Sequence, residues 1–234
     1  MTALLSTLGV DAGWLVKTTF EPNLLLLFIV CLVHSYRSHG WRRTFREFSA
    51  GLMLTALAES AGVLSGAYVY PGFYIYILAT PFGNPASWVA LVYILMKISD
   101  RLVFGRRALQ ANPEPPLRIG KSLLKTLVIL ALCDATLAVC IDLVLDPLAT
   151  IFNWWIWVPH EAGVHTIQAG VVDPYNFGRE VWMTTPDNPL AVFFGSFFDG
   201  GWRYPTRVFG IPLINFIAWV VFVFTFTFQF RWVE

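Results

Sequence analysis

A 24-residue run from Leu123 to Asp146 is almost wholly apolar yet carries Asp134, Asp142 and Asp146. Its length suits the ~30 Å of hydrocarbon in a bilayer, and its three carboxylates do not. Each ionised acid at mid-bilayer depth opposes insertion by about 2.5–3.5 kcal/mol, so such groups need partners, protons or a chemical task. A second apolar run adds Glu59. The chain must therefore bury its acids against one another or against other helices.

With 56% hydrophobic and 13% charged residues, the composition is that of an integral membrane protein. The apolar runs are long and lack the alternation of an outer-membrane barrel, so the expected fold is all-α, a polytopic helix bundle forming a single domain over residues 1–234. Five spans are expected, at Phe20–Tyr36, Phe45–Gly66, Ala86–Phe104, Ser122–Asp146 and Val208–Phe230. Eleven of the 16 basic residues fall at the inner turns: Arg37, Arg42, Arg43 and Arg46 in one, Lys97, Arg101, Arg106, Arg107, Arg118, Lys121 and Lys125 around the other. By the positive-inside rule those turns are cytoplasmic, which puts the amino terminus outside and the carboxyl terminus inside. Nothing in the first nineteen residues reads as a cleavable signal, and Leu4–Val10 is expected to be an interfacial helix. A net charge of +1, with its arginines serving topology, gives no phosphate-tracking stripe and argues against nucleic acid.

Depth and helical phase organise the acids. A rise of 1.5 Å per residue places Asp134 near mid-membrane and Asp146 at the outer boundary. Asp142 and Asp146 share a face, with Asp134 turned by about 80°, so one broad inward sector holds all three. Glu59 would lie at a depth between Asp134 and Asp142, and Gly62 and Gly66 form a small-xxx-small pair that lets helices approach closely beside it. Desolvation favours the neutral acid, the state a proton donor needs. The competing structural roles are pairing with Arg or Lys and, for Asp146-Pro147, ending a helix.

Other chemistry finds less support. His160 and His165, with Glu161, do not have zinc-protease spacing, no paired histidines suit a haem, no lysine lies mid-span for a retinal Schiff base, and Cys31, Cys133 and Cys140 read as small hydrophobes in apolar spans. No metal and no cofactor are expected. The 38 aromatic residues are denser than an interfacial belt needs: Tyr68, Tyr70, Phe73, Tyr74, Tyr76 and Phe82 crowd one outer connection, Trp154, Trp155, Trp157, Trp182 and Trp202 the other. Such surfaces suit a groove for a long conjugated lipid.

Three blocks resemble a known family. They are Glu59-Ser-Ala-Gly62-Val-Leu-Ser-Gly66 with Tyr68-x-Tyr70-Pro71-Gly72-Phe73-Tyr74-x-Tyr76; Pro85-Ala-Ser-Trp88; and Asp142-x-x-x-Asp146-Pro147 with Trp155-x-Trp157 and Phe209-Gly210-Ile211-Pro212-Leu-Ile-Asn215-Phe216-Ile-Ala-Trp219. They are similar to segments of the carotenoid-biosynthesis membrane proteins that include the carotenoid 1,2-hydratases and bisanhydrobacterioruberin hydratase. The resemblance implies addition of water across a terminal isoprenoid C=C by acid catalysis, hence a hydro-lyase, in a prokaryotic inner or photosynthetic membrane. It implies Glu59, Asp142 and Asp146 as catalytic candidates, and Asp134, outside the matched blocks, joins them on the cost of its burial alone. For binding a carotenoid or another long isoprenoid lipid, it points to Tyr68, Tyr70, Tyr74, Tyr76, Trp88, Trp155, Trp157, Asn215 and Trp219. The family passes quickly from Trp-x-Trp to Gly-x-Pro, whereas about fifty residues intervene here, within an external loop of about 148–207. That insertion carries the alternative expectation, a non-catalytic accessory subunit that binds carotenoid or lipid and docks other membrane subunits through the loop. A transporter would show inverted repeats or broken helices, and neither is apparent.

Overall fold

Amides and carbonyls inside a long apolar run have only one another as partners, so the runs become helices. The computed structural model describes residues 12–64, 68–70, 73–109, 118–119, 122–151, 154–157, 207–208 and 211–233. Five long helices dominate them: α1 (Ala12–His39), α2 (Trp41–Leu64), α3 (Gly83–Phe104), α4 (Leu123–Ile151) and α5 (Leu213–Val233). Three of these, over Thr18–His39, Leu123–Ala149 and Asn215–Val233, are long and apolar enough to cross a membrane. α2 and α3 have similar length but carry more charge, among it Arg42, Arg43, Arg46, Glu47 and Glu59 on α2 and Lys97, Asp100 and Arg101 on α3. Large apolar side chains such as Leu26, Ile29, Val30, Met53, Leu57, Leu132, Val144 and Val221 point outward on these helices. Hydrocarbon welcomes such faces and water does not.

α3 is the spine. α1 and α2 pack on one flank, α4 on the other, and α5 lies mainly along α4. Close approach is built in at Gly51, where an added Cβ would come within 2.9 Å of Val89 Cγ2. The α1–α2 joint is the single residue Gly40, whose φ of +78° suits glycine. Among the described residues, three two-stranded antiparallel ribbons lie in the connections between helices: β1 (Tyr68–Val69) with β4 (Ile156–Trp157), β2 (Tyr76–Ile77) with β3 (Thr80–Pro81), and β5 (Arg207–Val208) with β6 (Ile211–Pro212). The β1–β4 pair matters most, because it ties the segment after α2 to the segment after α4.

Two expectations about helix ends change. Asp146-Pro147 does not stop its helix: α4 runs on to Ile151, and its carboxyl end is closed by the Trp154 amide on the Ala149 carbonyl at 2.8 Å. Proline at 147 deletes one backbone bond, and the packed turn beyond it outweighs that loss. The first helix likewise passes through Pro22 and begins earlier than Phe20. Leu4–Val10, Gly66 and most of the 148–207 loop, residues 158–206, lie outside the described residues.

Polar side chains fall in two layers at opposite ends of the bundle. Asn215 and Arg231, which mark the two layers on α5, are sixteen residues apart, about 24 Å along the axis.

Candidate functional site

Glu59 comes from the last turns of α2, just before the chain leaves the helix. The segment that follows folds straight back over it. Tyr68 and Tyr70 both donate phenol hydrogen bonds to Glu59 Oε2, at 2.8 and 2.5 Å. Asn84 Nδ2, at the start of α3, donates to the Tyr70 hydroxyl at 2.6 Å, and Tyr76 donates to the Tyr70 carbonyl at 2.9 Å. Gly62 serves this arrangement and not a helix contact. A Cβ there would fall 2.2 Å from Tyr68 Oη and 2.5 Å from Cζ, so the glycine makes room for the Tyr68 ring beside Glu59.

Burial holds the Tyr70 hydroxyl well above the usual phenol range, and the charge of Glu59 adds to that. Tyr70 therefore remains a donor at any physiological pH. The loop carrying these tyrosines is anchored from α1, where buried Glu21 accepts the Tyr74 and Ile75 amides at 3.0 and 3.2 Å.

On the facing wall, Asp142 and Asp146 lie one turn apart on α4 and are both buried. The Asn215 amide from α5 donates to Asp142 Oδ2 at 2.9 Å and also to Asp146 Oδ2. Trp155 lies within hydrogen-bonding reach of Asp146, and both aspartates feel the field of Glu59. Asp142 Oδ1 is buried without a hydrogen-bond partner among the described residues.

Between these walls is a cavity of about 210 Å³. Glu59, Tyr68, Tyr70, Asn84, Asp146 and Asn215 supply its polar groups. Trp88, Trp155 and Trp219, with Phe20, Leu24, Leu27, Leu91, Ile141 and Leu145, supply its apolar surface. Trp88 and Trp219 stack with ring centroids 3.5 Å apart, and Phe20 stacks on Trp154 at 3.6 Å. The result is a few fixed polar groups in an otherwise apolar, aromatic chamber, the usual make-up of a small-molecule site.

Residues 20–170 match the family described as carotenoid biosynthesis protein. The chain belongs to that family. No curated relative and no solved structure matches the chain. The chamber's lining runs from two carboxyls, Glu59 and Asp146, to the stacked indoles of Trp88 and Trp219.

Of the thirteen residues proposed from sequence, Glu59, Asp146, Tyr68, Tyr70, Trp88, Trp155, Asn215 and Trp219 line this cavity, and Asp142 stands behind it. Four are elsewhere or are fixed only by backbone. Asp134 stands farthest from the rest. It is fully buried at the other polar layer, held by Arg231 with Nη2 3.2 Å from Oδ2, and Arg231 also takes Asp100 at 2.5 Å and Ser99 at 2.9 Å. Eight residues below Asp142, about 12 Å, it cannot share a reacting atom with Glu59. Tyr74 is 77% exposed and points away, while Tyr76 acts through the Tyr70 carbonyl without lining the cavity. Trp157 is fixed by pairing of its backbone with Tyr68.

Sequence reasoning passed over Asn84, Glu21, and the contribution of α1 through Phe20, Leu24 and Leu27. Asn84 immediately precedes the Pro85–Trp88 block and was within sight. The histidines find local partners near the inner layer: His34 Nδ1 pairs with the Tyr93 hydroxyl at 2.7 Å, and His39 Nε2 lies 2.9 Å from Lys97 Nζ. Among the described residues no group of three or more His, Cys, Asp and Glu side chains converges as a metal ion would require.

Proposed function

We propose that this carotenoid biosynthesis protein is a hydratase that adds water to the terminal isoprenoid C=C of a carotenoid, with its five helices crossing the membrane. The observation that carries the reading is the cavity in which Glu59 and Asp146 face each other across an apolar, aromatic space. An isolated trisubstituted alkene needs a strong, positioned acid, because its protonation yields a tertiary carbocation. Glu59 is that acid. Both phenols donate to Oε2, which leaves the transferable proton on Oε1. They then stabilise the carboxylate left behind, an interaction that strengthens as the charge develops.

The reaction balances with water alone. The Glu59 proton adds to the less substituted alkene carbon as the π pair forms the C–H bond, and the cation sits beside the stacked Trp88–Trp219 pair that lines the chamber. Water oxygen bonds to the cation while one of its protons passes to Asp146, so one water is consumed and one proton moves from Glu59 to Asp146. Asn215, which donates to both Asp142 and Asp146, holds Asp146 in line. Return of the proton to Glu59 resets the site.

Cells that make acyclic carotenoid precursors should accumulate 1-hydroxy carotenoids when they express this chain and should lose them with Glu59→Gln. An unchanged pigment profile at good expression would sink the reading. The accessory-subunit alternative rests on the 148–207 loop, and the acid-lined cavity favours catalysis over it.

A further inference from the structure

The cavity is too small for the molecule it would serve. Sites that enclose a drug-sized ligand run to roughly 300–1,000 Å³, and this one holds about 210 Å³. Only the end of a long polyisoprenoid fits inside, so the rest of the chain must leave by a defined route.

Two cavity-lining residues identify that route. Leu27 on α1 and Ile141 on α4 both line the chamber, and both are 37% exposed on the outside of the bundle. They belong to helices that are long and apolar enough to span a membrane. Leu27 lies nine residues from Thr18 and Ile141 eight from Ala149, about 14 and 12 Å from the ends of those spans. Those ends are on the same side, since Phe20 stacks on Trp154 just past α4. Both residues therefore sit at matching depth, inside the hydrocarbon and below the headgroups. α1 and α4 are held apart by α3, which packs against each of them. Among the described residues, the chamber's lining thus reaches the partly exposed surface of the bundle at two apolar side chains.

Resting on the hydratase reading, we infer that the substrate enters laterally from the bilayer between α1 and α4. Its terminal isoprenoid unit passes Leu27 and Ile141 to reach Glu59, and the remaining polyisoprenoid chain stays in the lipid along the α1–α4 groove. The occupant is a long polyisoprenoid hydrocarbon chain, because the groove leads to the acid-lined chamber and is apolar at its mouth. A polar or short molecule arriving from water would have no reason to cross the hydrocarbon to this opening. Leu27 and Ile141 are then specificity-determining residues, selecting for acyclic chain ends narrow enough to pass between them.

The test uses the full chain in phosphatidylcholine vesicles with a polyisoprenoid alkene carrying a photoreactive diazirine at mid-chain. Labelling should concentrate on α1 around Leu27 and on α4 around Ile141 and be competed by unlabelled polyisoprenoid. Leu27→Trp and Ile141→Trp should each cut it by roughly tenfold, the scale of one filled pocket contact. Ile29→Trp and Val144→Trp, on exposed positions of the same helices outside the cavity lining, should leave it unchanged. Label spread evenly over all lipid-facing helices, or label indifferent to both mouth substitutions, overturns the inference. Glu59→Gln should still label at the mouth. Selective labelling without any hydration by the wild type would therefore reject the hydratase and keep the groove, whereas hydration with unselective labelling would do the reverse.

Discussion

Tyr70 gives Glu59 a 2.5 Å hydrogen bond while taking one of 2.6 Å from Asn84. The phenol is thereby locked as donor to the carboxyl, since its oxygen is already serving as acceptor for the amide. Three elements meet in that short chain of bonds: the end of α2, the returning segment and the start of α3. Folding the α2–α3 connection and assembling the acid are one event.

If Glu59 is the proton donor, Glu59→Gln keeps the shape and an acceptor oxygen for both phenols but has no acidic proton. Hydration should drop by about 10²–10⁴-fold, the range of a lost general acid, while the protein still purifies as folded. Pigment extracts from expressing cells read this directly. Retained 1-hydroxy product would move the acid to Asp146 or Asp142.

Tyr70→Phe tests the lock itself. It deprives Glu59 of one donor and leaves the buried Asn84 amide without its acceptor, at a cost of about 1–3 kcal/mol. Tyr68→Phe removes a donor without orphaning Asn84. Thermal unfolding in detergent should therefore fall further for Tyr70→Phe than for Tyr68→Phe.

Gly62→Ala makes a sharper probe of geometry. The new methyl would overlap the Tyr68 phenol, whose oxygen lies 2.2 Å from the ideal Cβ position, so the ring must swing off Glu59. Overpacking of this kind costs about 1–3 kcal/mol. The expected result is a folded protein with impaired hydration, and a companion Tyr68→Phe should not relieve the defect, because the ring itself is in the way. Tyr68→Ala together with Gly62→Ala should restore stability but not full activity.

Why Glu59 was legible and Asp134 misleading follows from what each pairs with. Glu59 meets Tyr68 and Tyr70, nine and eleven residues along the chain, inside one block that can be recognised as a unit. Asp134 meets Arg231, ninety-seven residues away and one residue past the expected end of the last span at Phe230. Burial cost says that a carboxylate needs a partner, but it does not say which distant helix brings one. The bundle itself was readable because apolar length dictates helices. Helix ends were not, since Asp146-Pro147 reads as a stop in sequence and is carried inside its helix by tertiary packing, and the first helix begins well before Phe20. The proposed lateral entry was invisible for the same reason: Leu27 and Ile141 are ordinary span residues until the packing brings both to one cavity.

The Arg231 cluster yields a contrasting prediction. Arg231→Met strands Asp134, which is fully buried, and should destabilise the bundle by about 3–5 kcal/mol. Asp134→Leu combined with Arg231→Met removes both charges and should recover most of that loss. Hydration measured per folded molecule should remain near wild type in the double variant, because the cluster is about 24 Å along α5 from Asn215. A double variant that is stable but inactive would return Asp134 to the catalytic set.

The last prediction concerns alkaline pH. The Tyr70 hydroxyl is held well above the ordinary phenol range, first by burial and then by the charge of Glu59. An exposed tyrosine in the unfolded chain loses its proton near pH ~10. Above that pH the folded chain keeps a proton that the unfolded chain has released, so unfolding releases a proton and is favoured as pH rises. The contribution of Tyr70 is fully present below about pH 10 and drains away above it. Tyr70→Phe has no such proton to lose. The stability gap between wild type and Tyr70→Phe, followed by thermal unfolding in detergent from about pH 8 to about pH 11, should be constant at first and then narrow. A gap that stays flat to the top of that range would mean that the Tyr70 hydroxyl titrates no differently in the folded and unfolded chains, and the tight Asn84–Tyr70–Glu59 chain of bonds would have to be looser than its geometry.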